Sequence, residues 1–170
     1  MKVWKQEEWS ETPSRKAESD EEKAAREKAV YYLQFSGKTE CELRKKLADK
    51  EFSPASVDYA IDFVKQYGYL DDEDYARRFL EKNCRKKSRK QMTFELSQKG
   101  VSKEILSRVL EDVPVDEEAQ IMAILEKRGY SGNDATREEK QKISAYLGRK
   151  GFSYEAISSA LIQFARKISD

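Results

Sequence analysis

The chain has 170 residues, 38% hydrophobic and 38% charged, with 33 Lys and Arg against 32 Asp and Glu for a net charge of +1. That composition is too apolar for simple disorder, and its charge suits slender helices with much wetted surface. Histidine is absent, which removes serine–histidine and cysteine–histidine nucleophile pairs and most zinc sites.

Residues 1–23 carry mixed charge and both tryptophans, Trp4 and Trp9, without an apolar stripe. They are expected to form a mobile tail that orders on a partner, or packs on the first folded unit through its tryptophans. The start, Met1-Lys2-Val3-Trp4-Lys5, has no hydrophobic core of a signal peptide. The longest apolar runs are about five residues, as in Ala29–Leu33, so no segment is expected to span a bilayer. Cys41 and Cys84 form no CxxC pair and are expected to be reduced, partly buried thiols. A soluble cytoplasmic protein follows.

From residue 24 onward the chain repeats itself. Leu47, Leu96 and Leu147 are each followed by a lysine (Lys50, Lys99, Lys150), an apolar residue (Phe52, Val101, Phe152) and a serine (Ser53, Ser102, Ser153). The serines lie 49 and then 51 residues apart, giving three units of about fifty residues: 24–70, 71–115 and 116–170. First helices are predicted at 22–36, 72–86 and 117–128, with Tyr32-Leu33, Phe79-Leu80 and Ile124-Leu125 turned inward. Second helices should start at the capping boxes Thr39-x-x-Glu42, Ser88-x-x-Gln91 and Thr136-x-x-Glu139.

Third helices should be capped by Ser53, Ser102 and Ser153, with Pro54 in the first turn of the first copy. Their apolar stripes are Val57-Ala60-Ile61-Val64, Leu106-Val109-Leu110-Val113 and Ile157-Ala160-Leu161-Phe164, at spacings of three, four and seven. Gly100 and Gly151 should close the second helices in a left-handed conformation, whereas the first copy has Glu51 there, so its turn should be made differently or with some strain. No segment alternates as a strand does. The expected fold is all-α, an elongated array of three tandem three-helix repeats whose units share contacts because each buries little alone.

Charge is distributed unevenly along this array. Residues 77–90 hold Arg77, Arg78, Lys82, Arg85, Lys86, Lys87, Arg89 and Lys90 against Glu81 alone, a local net charge of +7, so the rest of the chain sums to −6. Such a concentration raises a positive potential that suits a phosphate backbone or an acidic protein surface. The eight residues are the candidate partner- or DNA-binding set.

Catalytic and metal signatures are lacking. There is no Gly-x-x-x-x-Gly-Lys-Ser/Thr loop and no Gly-x-Gly-x-x-Gly after a strand. Asp71, Asp72 and Asp74 precede an apolar-periodic helix, where an acidic first turn complements the helix dipole. The chain is expected to be non-catalytic, with no cofactor and no metal.

Three stretches resemble the RecX family, bacterial regulators of the RecA recombinase. Residues 68–79, "GYLDDEDYARRF", are similar to its Gly-Tyr-Leu-Asp-Asp signature; residues 39–52, "TECELRKKLADKEF", resemble its Glu-Leu-Arg-x-Lys-Leu element; residues 95–110, "ELSQKGVSKEILSRVL", resemble its Glu-Leu-x-x-Lys-Gly-Ile element. The resemblance covers 24–113, extends more weakly over 140–168 and does not reach 1–23. It departs from the family at Glu51, in place of a glycine, and at Ser88 and Gln91, where Arg89 and Lys90 stand ready to supply the charge.

What the resemblance implies is a helical array that binds the RecA filament along its groove and restrains recombination, ATPase and coprotease activities. It further implies that Gly-Tyr-Leu-Asp-Asp joins two units and that single- or double-stranded DNA is a further partner. A monomer without membrane association is expected. The alternatives are a helical DNA-binding module that acts without the recombinase, and a helical scaffold for other proteins.

Overall fold

The computed structural model describes residues 18–169; the expectations for residues 1–17, Trp4 and Trp9 among them, lie outside the described residues. Within that range the chain folds into α-helices, one short 3-10 turn at Gly132–Asp134 and no strand. Helix α1 spans Asp20–Phe35, α2 Glu40–Ala48, α3 Pro54–Gln66, α4 Asp72–Asn83 and α5 Arg89–Gln98. Helix α6 spans Lys103–Asp112, α7 Glu117–Arg128, α8 Arg137–Arg149 and α9 Tyr154–Ser169.

Each start has a local cause. Ser19 and Glu22 form a complete capping box, so α1 begins two residues before the expected 22. Ser53, Ser102 and Ser153 accept from the backbone N–H of Ser56, Ile105 and Ala156 at 3.3, 3.3 and 3.1 Å, satisfying donors that would otherwise be orphaned. Asp71 does the same for Glu73 and Asp74, so the acidic run starts α4. Of the three second-helix boxes only Thr39–Glu42 is complete. Ser88 and Thr136 cap their helices, but the Gln91 side chain turns to Glu95 and that of Glu139 to Ser131.

The helix ends divide by residue type. Gly100 and Gly151 take φ of +82° and +87°, as a left-handed C′ residue should. Glu51 adopts φ of +63° at the equivalent point, a conformation unfavourable for a residue with a Cβ by roughly 1–2 kcal/mol.

The residues cluster into two compact units. Among the described residues, the first comprises those up to Gly37 together with Leu43–Leu70, and the second comprises Lys38–Glu42 with those from Asp71 onward. In the first, α1 packs on α3 over Ala25, Ala29, Leu43, Leu47, Ile61 and Val64. Tyr32 and Leu33 flank that core while Ala29 and Val30 occupy its depth, because small residues let the two helices approach closely. Glu21 accepts from both the backbone N–H and the hydroxyl of Ser53, at 2.7 and 3.0 Å, which ties the start of α1 to the start of α3. Those bonds hold the Glu21 carboxyl below its ordinary value.

The second unit has two apolar centres. Ala76, Leu80, Met92, Leu96 and Val109 form one, with α4 against α6; Ile121, Leu125, Leu147, Ala160 and Phe164 form the other, with α7 against α9. The predicted third-helix stripes supply the buried side of each, with Leu110 and Leu161 only partly buried. Tyr130 is buried against Phe164, and burial with the Glu139 charge pushes its phenol above the usual range.

A repeated polar clasp runs through this unit. Ser88, 1% exposed, caps α5 and also donates its hydroxyl to the Lys150 carbonyl at 2.8 Å. Thr39, fully buried, caps α2 and donates to the Lys99 carbonyl at 2.5 Å. Beside each hydroxyl the next backbone N–H is taken by a carboxylate, Arg89 by Glu117 and Glu40 by Asp72, both at 2.8 Å. The approach is close enough to require glycine: a Cβ on Gly151 would stand 2.8 Å from the Ser88 hydroxyl, and one on Gly100 would collide with Cys41.

Replacing Ser88 by Ala should therefore cost more than replacing Ser102 by Ala. Losing a cap alone costs about 1 kcal/mol, and losing the part-buried bond to the Lys150 carbonyl adds about 1 kcal/mol. Urea unfolding should give a loss of about 2 kcal/mol or more for S88A and about 1 kcal/mol for S102A; equal losses would remove the clasp's energetic role.

Candidate binding surface

The basic stretch does not ride on one helix. Helix α4 ends at Asn83, not at the predicted 86, because the Asn83 side chain donates to the Phe79 carbonyl at 2.7 Å and the chain then turns. The amides of Lys86 and Lys87 fold back on the Asn83 carbonyl at 2.8 and 3.0 Å. Arg77, Arg78 and Lys82 thus lie on α4, Arg85, Lys86 and Lys87 in the turn, and Arg89 and Lys90 in the first turn of α5. Cations at a helix N-terminus oppose its dipole, and the Glu117 carboxylate on the Arg89 N–H offsets them.

Partners divide the eight cations. Arg77 pairs with Asp112 at 3.0 Å and Glu73 at 3.4 Å, Arg78 with Asp74, and Lys87 with Glu95 at 2.6 Å. The Arg89 guanidinium donates to the Leu110 carbonyl at 3.1 Å. Lys82, Arg85, Lys86 and Lys90 form no ion pair among the described residues, so the outward positive field comes chiefly from these four. The pairs on Arg77 and Arg78 are exposed and worth about 0–1 kcal/mol each, little obstacle to an exchange of partners.

Lys86 and Lys90 meet cations that the sequence pattern did not single out. Lys86 lines a cleft of about 430 Å³ with Lys127, Arg128, Tyr146 and Lys150. Lys90 lines a second of about 550 Å³ with Phe94 and Arg149, and the two share Gln91, Tyr146 and Lys150. No carboxylate lines either cleft. Lys127 and Arg128 end α7, while Arg149 and Lys150 end α8, where cations suit the dipole. Along the chain each is only a pair of cations, too short to stand out beside the run at 77–90; the one available signal was two adjacent cations at two helix ends.

Tyr146 is the centre of this group. The Arg128 guanidinium lies 3.7 Å from its ring centroid and the Lys150 ammonium 5.8 Å. Arg128 holds the Tyr146 phenol below its usual value; burial opposes that, and the charges of Lys150 and Lys127 reinforce it. Elsewhere in the unit, Lys99 bonds Glu42 at 2.5 Å, which raises the ammonium. Burial pushes the Glu42 carboxyl up, but Lys99 and the Thr39 N–H outweigh it and hold the group low.

Cys41 is exposed, against expectation, Cys84 is half-buried, and both are free thiols. Among the described residues no group of three or more His, Cys, Asp or Glu side chains is placed to hold a metal ion, and no helix is long and apolar enough to cross a membrane.

Three family descriptions match in chain order: the first three-helix domain of RecX over residues 25–63, the second over 71–110 and the third over 116–161. The regulatory protein RecX of Caldanaerobacter subterraneus subsp. tengcongensis is 36% identical over 144 residues, covering 83% of this chain and 71% of that protein. That of Clostridium botulinum strain Eklund 17B is 32% identical over 140 residues, covering 80% and 66%. The chain thus spans just under two thirds of the latter's length. The crystal structure of RecX from Lactobacillus salivarius superposes with a TM-score of 0.77 over 85% of this chain and 97% of that one, at 24% identity, and shows the same fold. The chain belongs to the RecX family.

The environment of Tyr146 has a direct spectroscopic consequence. Subtracting the Tyr146→Phe absorbance titration from that of the unaltered protein should give a tyrosinate forming below the usual value of about 10. Arg128→Gln should return it toward that value; an unshifted difference curve would contradict the cation cluster.

Proposed function

As a member of the RecX family, this chain is, we propose, a non-catalytic regulator that binds the RecA recombinase filament on DNA. It docks in the filament groove and inhibits recombination, ATPase and coprotease activities, acting as a monomer in the cytoplasm. The observation that carries this reading is the match of all three RecX domains in order, with relatives whose name is regulatory protein RecX. Lys82, Arg85, Lys86 and Lys90, without an ion pair among the described residues, supply a surface for acidic side chains or exposed phosphate on the filament, and Arg77, Arg78, Lys87 and Arg89 extend it once their weak intramolecular partners exchange.

A second reading, a helical DNA-binding module that needs no recombinase, is favoured by the same cations. Against it, the overall charge is only +1 and repeats one and three lack a comparable basic run.

Inhibition of recombinase ATPase on single-stranded DNA separates the two. Charge reversal of Arg85 and Lys86, which hold no ion pair among the described residues, should raise the half-inhibitory concentration about tenfold or more. The fold should be unaffected. Unchanged inhibition would remove the basic stretch from the contact, and binding to bare DNA as tight as to the filament would favour the second reading.

A further inference from the structure

The basic turn between α4 and α5 is gripped by the third repeat. Gln120, near the start of α7 and 8% exposed, donates its side-chain amide to the Cys84 carbonyl, where the turn leaves α4. Three residues earlier on the same face of α7, Glu117 accepts from the Arg89 N–H at 2.8 Å, where the turn enters α5. Between them the Ser88 hydroxyl reaches the Lys150 carbonyl. Residues 84–89 are therefore tied at both ends to α7 and once to the end of α8. Inside the turn the Lys86 and Lys87 amides close on the Asn83 carbonyl, and Glu95 holds the Lys87 ammonium at 2.6 Å. Arg85 and Lys86 stay exposed.

Stability alone does not account for a glutamine at position 120. Its Oε1 is buried with no hydrogen-bond partner among the described residues, and a desolvated acceptor left so is unfavourable. An apolar side chain of the same length would avoid that cost, so the amide contributes one directed bond to Cys84. The junction between α2 and α4 gives a comparison. There Asp72 accepts from the Glu40 N–H as Glu117 does from Arg89, but the residue three positions on is Tyr75, whose ring meets the Lys99 ammonium at 5.7 Å. The carboxylate recurs at both junctions, and the amide is found at the one that carries the basic turn.

We infer that Gln120, together with Glu117, is a positioning residue: α7 fixes the backbone of residues 84–89 so that Arg85 and Lys86 meet a binding partner in one arrangement. This role rests on the proposed reading of the basic turn as part of the filament contact. A turn fixed beforehand loses little conformational entropy on binding, whereas a loose one of equal charge must be ordered at that moment. Gln120→Met keeps the length and the net charge, so it removes the bond and leaves the positive field in place.

Amide hydrogen exchange of the full chain, with no partner present, reads the positioning directly. Gln120→Met should speed exchange at Lys86 and Lys87 about fivefold or more, and leave the buried Leu125 and Leu147 unchanged. In the recombinase ATPase assay the same variant should raise the half-inhibitory concentration about fivefold. Combined with charge reversal of Arg85 and Lys86, it should add less than that. Gln163→Met removes an exposed amide bond to Glu118 in the same repeat and should change neither readout. Unaltered exchange at Lys86 and Lys87, equal acceleration at Leu125 and Leu147, or unaltered inhibition despite faster exchange would overturn the positioning role. If the charge reversal itself leaves inhibition intact, the filament reading of the turn fails first and the positioning role falls with it.

Discussion

The Ser88 hydroxyl accepts from the Gln91 N–H on one side and donates to the Lys150 carbonyl on the other, and the architecture of the second unit turns on that double use. A hydroxyl has one proton and two lone pairs, so it can cap its own helix and still reach a second one. Thr39 does the same with Lys99. In both places the receiving carbonyl is the last of a helix, where no intrahelical donor remains, and a glycine follows so that nothing blocks the approach. Each bond supplies a donor to a helix-end carbonyl that has none within its own helix.

The clasp also has an electrostatic consequence. It brings the N-terminus of α5 against the C-terminus of α8, the favourable orientation for two helix dipoles, and Glu117 completes the neutralisation of the α5 end. It carries Lys150 and Arg149 toward Lys86 and Lys90, so charge distant in sequence becomes adjacent in space.

How far the sequence spoke depended on whether the cause was local. The third helices were legible because their stripes recur at 3.6-residue spacing and their serine caps act within three residues, as at Ser102 and Ile105. The left-handed turns at Gly100 and Gly151, and the awkward one at Glu51, followed from residue type. The end of α4 was missed because Cys84, Arg85, Lys86 and Lys87 are all tolerated in helices; the Asn83 side chain on Phe79 decided the matter. The outward bonds of Thr39 and Ser88 span about sixty positions and leave no periodic trace. The cation cleft was hidden for the same reason, since Lys127 and Arg128 lie far in sequence from Arg149 and Lys150 and only the fold brings the two pairs together.

The central structural claim is that the clasp makes the second and third repeats one cooperative body. Native-state amide hydrogen exchange tests it most directly, read at Leu96 on α5 and Leu147 on α8, both fully buried. Both amides should open with the same free energy in the unaltered protein, and Ser88→Ala should lower both together. A third repeat that opens by itself at lower free energy, with the second untouched by the substitution, would contradict it.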